Sequence, residues 1–180
     1  MCKTYTMKRI AIDMDEVIAD ANIRFAQWYT RDYGTEFTPE QLANHHFEAL
    51  LPAEHKHVIR EYVYHDDFFK DLDVIPGSQE VIKALHEKYE IFITTAAMEF
   101  PNSFLPKLKW LQDNFPYISW QNIVYCGDKS IINADYLIDD NVKHFKRFIG
   151  QGILFTASHN KNVEWDVRVN NWQEVADMLL

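Results

Sequence analysis

A chain of 180 residues, 47% apolar and 14% aromatic, carries enough apolar material for one buried core with a small accessory lobe; its 25% charged residues sit at the ordinary globular level, against wholesale disorder. A formal net charge of −9 argues against a protein that tracks nucleic acid or an anionic membrane through a basic face. It leaves a small phosphorylated metabolite open, because a bound cation can invert the field where phosphate lands. The five glycines form no glycine-rich phosphate cradle, so phosphate chemistry would have to rest on something else.

In chain order, the first apolar run is Arg9 to Ile12, ending at Asp13 and followed by Asp15. Short continuous apolar runs suit strands buried on both faces of a parallel sheet. Residues from about Ala21 to Val74 break the rhythm: they are helix-rich, aromatic and histidine-rich, with no convincing buried strand, and are expected to form an inserted helical lobe. A helix follows Pro76 and Gly77, with Val81, Ile82 and Leu85 on one face. A second run, Ile91 to Ile93, leads to Thr94 and Thr95. The next helix is expected to start at Pro106, with Leu105, Leu108 and Leu111 at helical spacing. Lys129 lies in the loop before a third run, Tyr136 to Ile138, which ends at Asp139 and Asp140. The stretch from Asn141 reads as a helix closed by Gly150, a fourth run spans Gly152 to Phe155 before Thr156, and an amphipathic helix ends the chain. Strand alternating with helix predicts an α/β fold: a three-layer, doubly wound parallel sheet, with core residues 1–19 and 76–180 and a helical cap at 20–75.

Cys2 and Cys126 form no metal-spaced pair, no apolar run approaches membrane-spanning length, and the opening residues have no signal-peptide pattern. These features point to a reducing compartment, the cytoplasm.

Open α/β sheets bind ligands beyond the carboxyl ends of their strands. There the pattern gathers Asp13 and Asp15, Thr94 and Thr95, Lys129, and Asp139 and Asp140. Carboxylates from two strands can hold a hard cation such as Mg²⁺, a lysine balances the remaining charge, and a threonine hydroxyl can donate to a phosphate oxygen. The DxD spacing has a mechanical reason. Asp13 can aim one oxygen at phosphorus and the other at the metal, while Asp15 gives the metal its main-chain carbonyl and keeps its carboxyl for proton transfer.

The segment Asp13-Met14-Asp15-Glu16-Val17-Ile18-Ala19-Asp20 resembles the first motif of haloacid-dehalogenase-like phosphatases, and more closely that of the 5′(3′)-deoxyribonucleotidases. The resemblance continues through FFKDLDVIPGSQEVIKAL, IFITTA, GDKSIINADYLIDD and LFTASHN. It implies hydrolysis of a deoxynucleoside monophosphate, a small phosphorylated substrate and no polymer, through an aspartyl-phosphate. Asp13 would be nucleophile and metal ligand, Asp15 acid/base and metal ligand through its carbonyl, Thr95 and Lys129 phosphate ligands, and Asp140 the remaining metal ligand with Asp139 as support. Glu16 departs from the glycine of many relatives, Ala96 from a serine of some, and the lobe lacks the aromatic cluster that walls the base pocket in vertebrate members. A sugar-phosphate phosphatase of the same superfamily, or a non-catalytic protein of the same fold, are the competing readings.

Blander roles stand beside these. Asp139 or Asp140 is expected to cap the helix from Asn141, Asp20 to be structural, and Thr94 to pack inward or bond backbone. The histidines His45, His46, His55, His57 and His65 lack metal-site logic and read as a solvated face. Trp28, Tyr29, Phe47, Tyr62, Phe68 and Phe69 read mostly as the lobe's apolar seam, and His159 and Asn160 as loop braces.

Overall fold

Strand β1 (Arg9–Asp13) lies at the middle of a six-stranded sheet in a computed structural model that describes residues 7–180. Cys2 lies outside the described residues. The other strands are β4 (Glu90–Thr95), β5 (Ile123–Tyr125), β6 (Tyr136–Asp139), β7 (Gln151–Phe155) and β8 (Arg168–Val169). Their order is β5-β4-β1-β6-β7-β8, and every pairing is parallel. The expected doubly wound α/β sheet is therefore present, and Ile10, Ile12, Ile91, Ile93, Leu137, Ile138, Ile153 and Leu154 are fully buried within it. The chain runs outward from β1 through β4 to β5, then crosses back to β6 on the other side of β1. That reversal puts the carboxyl ends of β4, β1 and β6 side by side.

Between β1 and β4 the lobe leaves and returns through a two-stranded antiparallel ribbon, β2 (Ala19–Asp20) with β3 (Asp73–Val74). These two-residue strands are absent from the sequence reading, because two residues carry no period. The lobe holds α1 (Ala21–Tyr33), α2 (Pro39–Asn44) and α3 (Val58–Val63). Asp20 caps α1 by accepting from Ile23 N–H at 2.8 Å, so its structural role is direct. Gly34 closes α1 in the left-handed region, and Thr38 with Gln41 forms a capping box on α2. The seam aromatics Trp28, Tyr29, Phe47, Tyr62, Phe68 and Phe69 are all buried and join the sheet's apolar residues in one continuous cluster.

Beyond the lobe come α4 (Ser78–His86), α5 (Phe104–Asn114) and α6 (Trp172–Leu179). Trp172 of α6 donates its indole N–H to the Val17 carbonyl at 2.9 Å, which pins the turn after Asp15. Helix α5 begins two residues before Pro106, since a proline in the first turn has no intrahelical bond to lose. Its buried face is Lys107, Trp110 and Leu111, whereas Leu105 is 77% exposed and Leu108 half-buried, so only Leu111 of the expected leucine stripe is buried.

The helix expected from Asn141 to Gly150 does not form. Only a 3₁₀ turn, Val142–His144, stands there, capped by Asn141 rather than by either aspartate. Phe145 and Phe148 sit three apart as a helix would place them, but pack against Ala11, Leu137 and Leu154 in a separate cluster. Gly150 is not a helix cap. A Cβ there would meet the Ala134 and Asp135 carbonyl oxygens at 2.5 Å, so the glycine lets two chain segments touch at the start of β6. Among the described residues, no helix is long and apolar enough to cross a membrane.

Candidate active site

The strand ends bring two groups of polar side chains to one rim. In the first, Lys129 opens a 3₁₀ turn after β5 and reaches back across the sheet. Its ammonium pairs with Asp13 at the end of β1 and with Asp139 Oδ2 at 2.6 Å at the end of β6. Asp139 Oδ1 accepts from Asn141 N–H at 2.8 Å, so both Asp139 oxygens are engaged. Asp140 follows and meets His159 Nε2 at 3.4 Å. In the second group, Lys107 of α5 pairs with Asp15 Oδ2 and donates to Thr95 Oγ1 at 3.1 Å. Thr94 Oγ1 donates to the Ile12 carbonyl at 3.4 Å, which leaves Thr95 to carry the free strand end.

Charge explains the tension in the first group. Carboxylate oxygens of Asp13, Asp139 and Asp140 lie within 4.8 Å of one another, against one ammonium. Burial, with Asp139 and Asp15 adding repulsion, overrides the attraction of Lys129 and pushes Asp13 up to about 7. Burial followed by repulsion from Asp13 drives Asp140 well above the carboxylate range. Burial alone would lower Lys129, but Asp13 and Asp139 hold its ammonium above the ordinary lysine value. A cation among these acids would relieve both shifts.

The donor set fits a hard divalent ion. Asp13 and Asp140 offer carboxylate oxygens at adjoining strand ends, whereas both oxygens of Asp139 are already committed to Lys129 and Asn141. In the turn after β1, the Met14 carbonyl accepts from Val17, Ile18 and Ala19, and the Ala19 carbonyl accepts from Glu16. None of these bonds uses the Asp15 carbonyl. Glu16 holds that turn in the left-handed region at φ 60°, and its half-buried carboxylate accepts from Asn22 N–H at 2.7 Å. Burial, with Asp20 nearby, raises Glu16 to about 8.

Asn160 braces the loop after β7: its amide donates to the Asp140 and Phe155 carbonyls and its oxygen accepts from Ala157 N–H. The lobe histidines serve local contacts, His55 with the Tyr29 hydroxyl and His57 with the Glu54 carbonyl. Among the described residues the metal-competent cluster contains no histidine. Lys107 escaped the sequence reading. Its signal was spacing, since Lys107, Trp110 and Leu111 stand at i, i+3 and i+4, the stripe of a buried helix face.

Fold and rim together define a hydrolase of the haloacid-dehalogenase-like class. A HAD-hydrolase of Bacillus subtilis, solved bound to magnesium, superposes with a TM-score of 0.57 over 96% of this chain and 98% of its own, at 15% identity, which speaks to the fold. The model of the family described as "5' nucleotidase, deoxy (Pyrimidine), cytosolic type C protein" matches residues 7–180, and the chain belongs to that family. A Bacillus subtilis relative named 5'(3')-deoxyribonucleotidase is 41% identical over 175 residues, covering 96% of this chain and 99% of its own. A Staphylococcus epidermidis relative, provisionally given the same name, is 44% identical over 170 residues and 94% of each chain.

Proposed function

We propose that the chain is a Mg²⁺-dependent phosphomonoester hydrolase of the cytoplasm that dephosphorylates deoxyribonucleoside monophosphates, with residues 20–75 as a cap over a core of 1–19 and 76–180. The observation that carries the reading is the meeting of Asp13, Lys129, Asp139 and Asp140 at the reversal point of the sheet, with Asp15 two residues beyond. The names of the relatives supply the substrate class.

Asp13, Asp140 and the Asp15 carbonyl would hold Mg²⁺, which supplies the positive charge that lets a carboxylate approach a phosphate dianion. Lys129 adds its ammonium to the same end. Thr95 donates its hydroxyl to a phosphate oxygen. Asp13 attacks phosphorus, the bond from phosphorus to the sugar oxygen breaks, and the carboxyl of Asp15 gives that oxygen its proton. Water then attacks phosphorus and returns a proton to Asp15. Inorganic phosphate leaves and Asp13 is free again. The cap shields these steps from bulk water.

Phosphate release from a panel of deoxyribonucleoside, ribonucleoside and sugar monophosphates with Mg²⁺ tests the proposal. A preference for deoxyribonucleotides is expected. A preference for a sugar phosphate over every nucleotide would keep the chemistry and overturn the substrate.

A further inference from the structure

The three N–H donors of Lys107 are accounted for. The side chain is 2% exposed, its ammonium pairs with Asp15 Oδ2, it donates to Thr95 Oγ1 at 3.1 Å, and it stands 4.6 Å from the centre of the Phe69 ring. Phe69 is itself buried on the segment that returns from the lobe. The ammonium is thus fenced by the catalytic turn, the end of β4 and the neck of the lobe. Asp15 Oδ1, by contrast, is buried with no hydrogen-bond partner. A buried acceptor left unmatched costs free energy, so such an atom needs a reason.

We propose that Lys107 is a positioning residue that sets the direction of two hydrogen bonds at once, assigning the transferable proton of Asp15 to Oδ1 and turning the Thr95 hydroxyl proton toward the phosphate. This rests on the reading of Asp15 as acid and base. An ammonium has donors and no acceptor. With an N–H directed at Oδ2, that oxygen is occupied as an acceptor, and the proton of the carboxyl group resides on Oδ1, the atom without a partner. With another N–H directed at Thr95 Oγ1, the threonine oxygen must accept, so its own O–H points elsewhere as a donor. In the first step the proton moves from Asp15 Oδ1 to the sugar oxygen as the phosphorus–oxygen bond breaks and Asp13 bonds to phosphorus. In the second, water bonds to phosphorus, its proton goes to Oδ1, and the Asp13–phosphorus bond breaks. Lys107 exchanges no proton in either step.

A leaving-group comparison tests this. A deoxyribonucleotide leaves as an alkoxide and needs the proton, whereas p-nitrophenyl phosphate leaves as a stabilised phenolate and hardly does. Lys107→Met is expected to lower kcat about 100-fold with the nucleotide and about 10-fold or less with p-nitrophenyl phosphate, the common part reflecting Thr95. Lys107→Gln gives the same comparison if the methionine variant misfolds, and a thermal melt of each variant reports on the fold. Asp15→Asn serves as the reference. Where Asp15→Asn separates the two substrates but both lysine variants lose them equally, the role of Lys107 is overturned and the acid/base reading stands. Where Asp15→Asn itself fails to separate them, the acid/base reading falls, and the Oδ1 assignment with it.

Discussion

The rim of the sheet and the helical lobe bury polar and aromatic side chains for opposite purposes. At the rim, Asp13, Lys129 and Asp139 are buried charges held by one another and by the ends of β1 and β6. In the lobe, Phe25 packs against Phe47 and Phe68, and Trp28 meets Tyr62 and Phe68 edge-on, so the seam is apolar surface with few polar obligations. The contrast teaches which change does what. A rim residue is defined by its functional group, and an isosteric swap removes chemistry while leaving shape. A seam residue is defined by its volume, and truncation removes stability while leaving the reacting groups in place.

The largest effect expected is that of Asp13→Asn: kcat for phosphate release should fall by about 10⁴-fold or more, with an unchanged circular dichroism spectrum. Residual turnover near that of the parent would erase the distinction between the two regions. Asp139→Ala should cost about 3–5 kcal/mol in urea unfolding, because it strips one partner from a buried ammonium. A neutral result would show that Lys129 is satisfied by Asp13 alone. Phe68→Ala should cost about 3 kcal/mol of stability, read by the same titration, while kcat below the melting temperature stays within a few-fold of the parent. A loss of kcat matching that of a rim variant would mean that the seam shapes the chemistry directly.

Glu16 stands where the two regions join, and its effect is visible through pH. Its folded value of about 8 lies above the ordinary 4.5, so the folded state holds a proton that the unfolded state has released. Its contribution to stability is full below pH 4.5 and declines as pH rises toward 8. In metal-free protein, Glu16→Gln should therefore raise Tm relative to the parent more at pH 8 than at pH 5. An equal shift at both would place the Glu16 carboxylate in water.

The rim was legible in the sequence because β1, β4 and β6 are short apolar runs that each stop at a polar residue, and a parallel sheet sends all such stops to one edge. Asp13, Asp15, Thr95 and Asp140 could be placed at the rim that way, and Lys129 only through its loop before β6 and the family resemblance. Lys107 could not, since Leu105, Leu108 and Leu111 offered a louder stripe, although only Leu111 of the three lies on the buried face. The Asn141–Gly150 stretch was misread because Phe145 and Phe148 mimic helical spacing, while the need for glycine at 150 comes from the carbonyls of Ala134 and Asp135, about fifteen residues upstream in the chain. Strands β5 and β8 span three and two residues and owe their form to the neighbours they pair with.

The most direct test is chemical. The protein, mixed with Mg²⁺ and a ³²P-labelled deoxyribonucleoside monophosphate, is quenched in acid within the first turnover, digested, and its labelled peptide sequenced. Label on the peptide that carries Asp13, removable by hydroxylamine, is the expected result. Full phosphate release with no labelled peptide at any quench time, or label on a peptide lacking Asp13, would contradict the account.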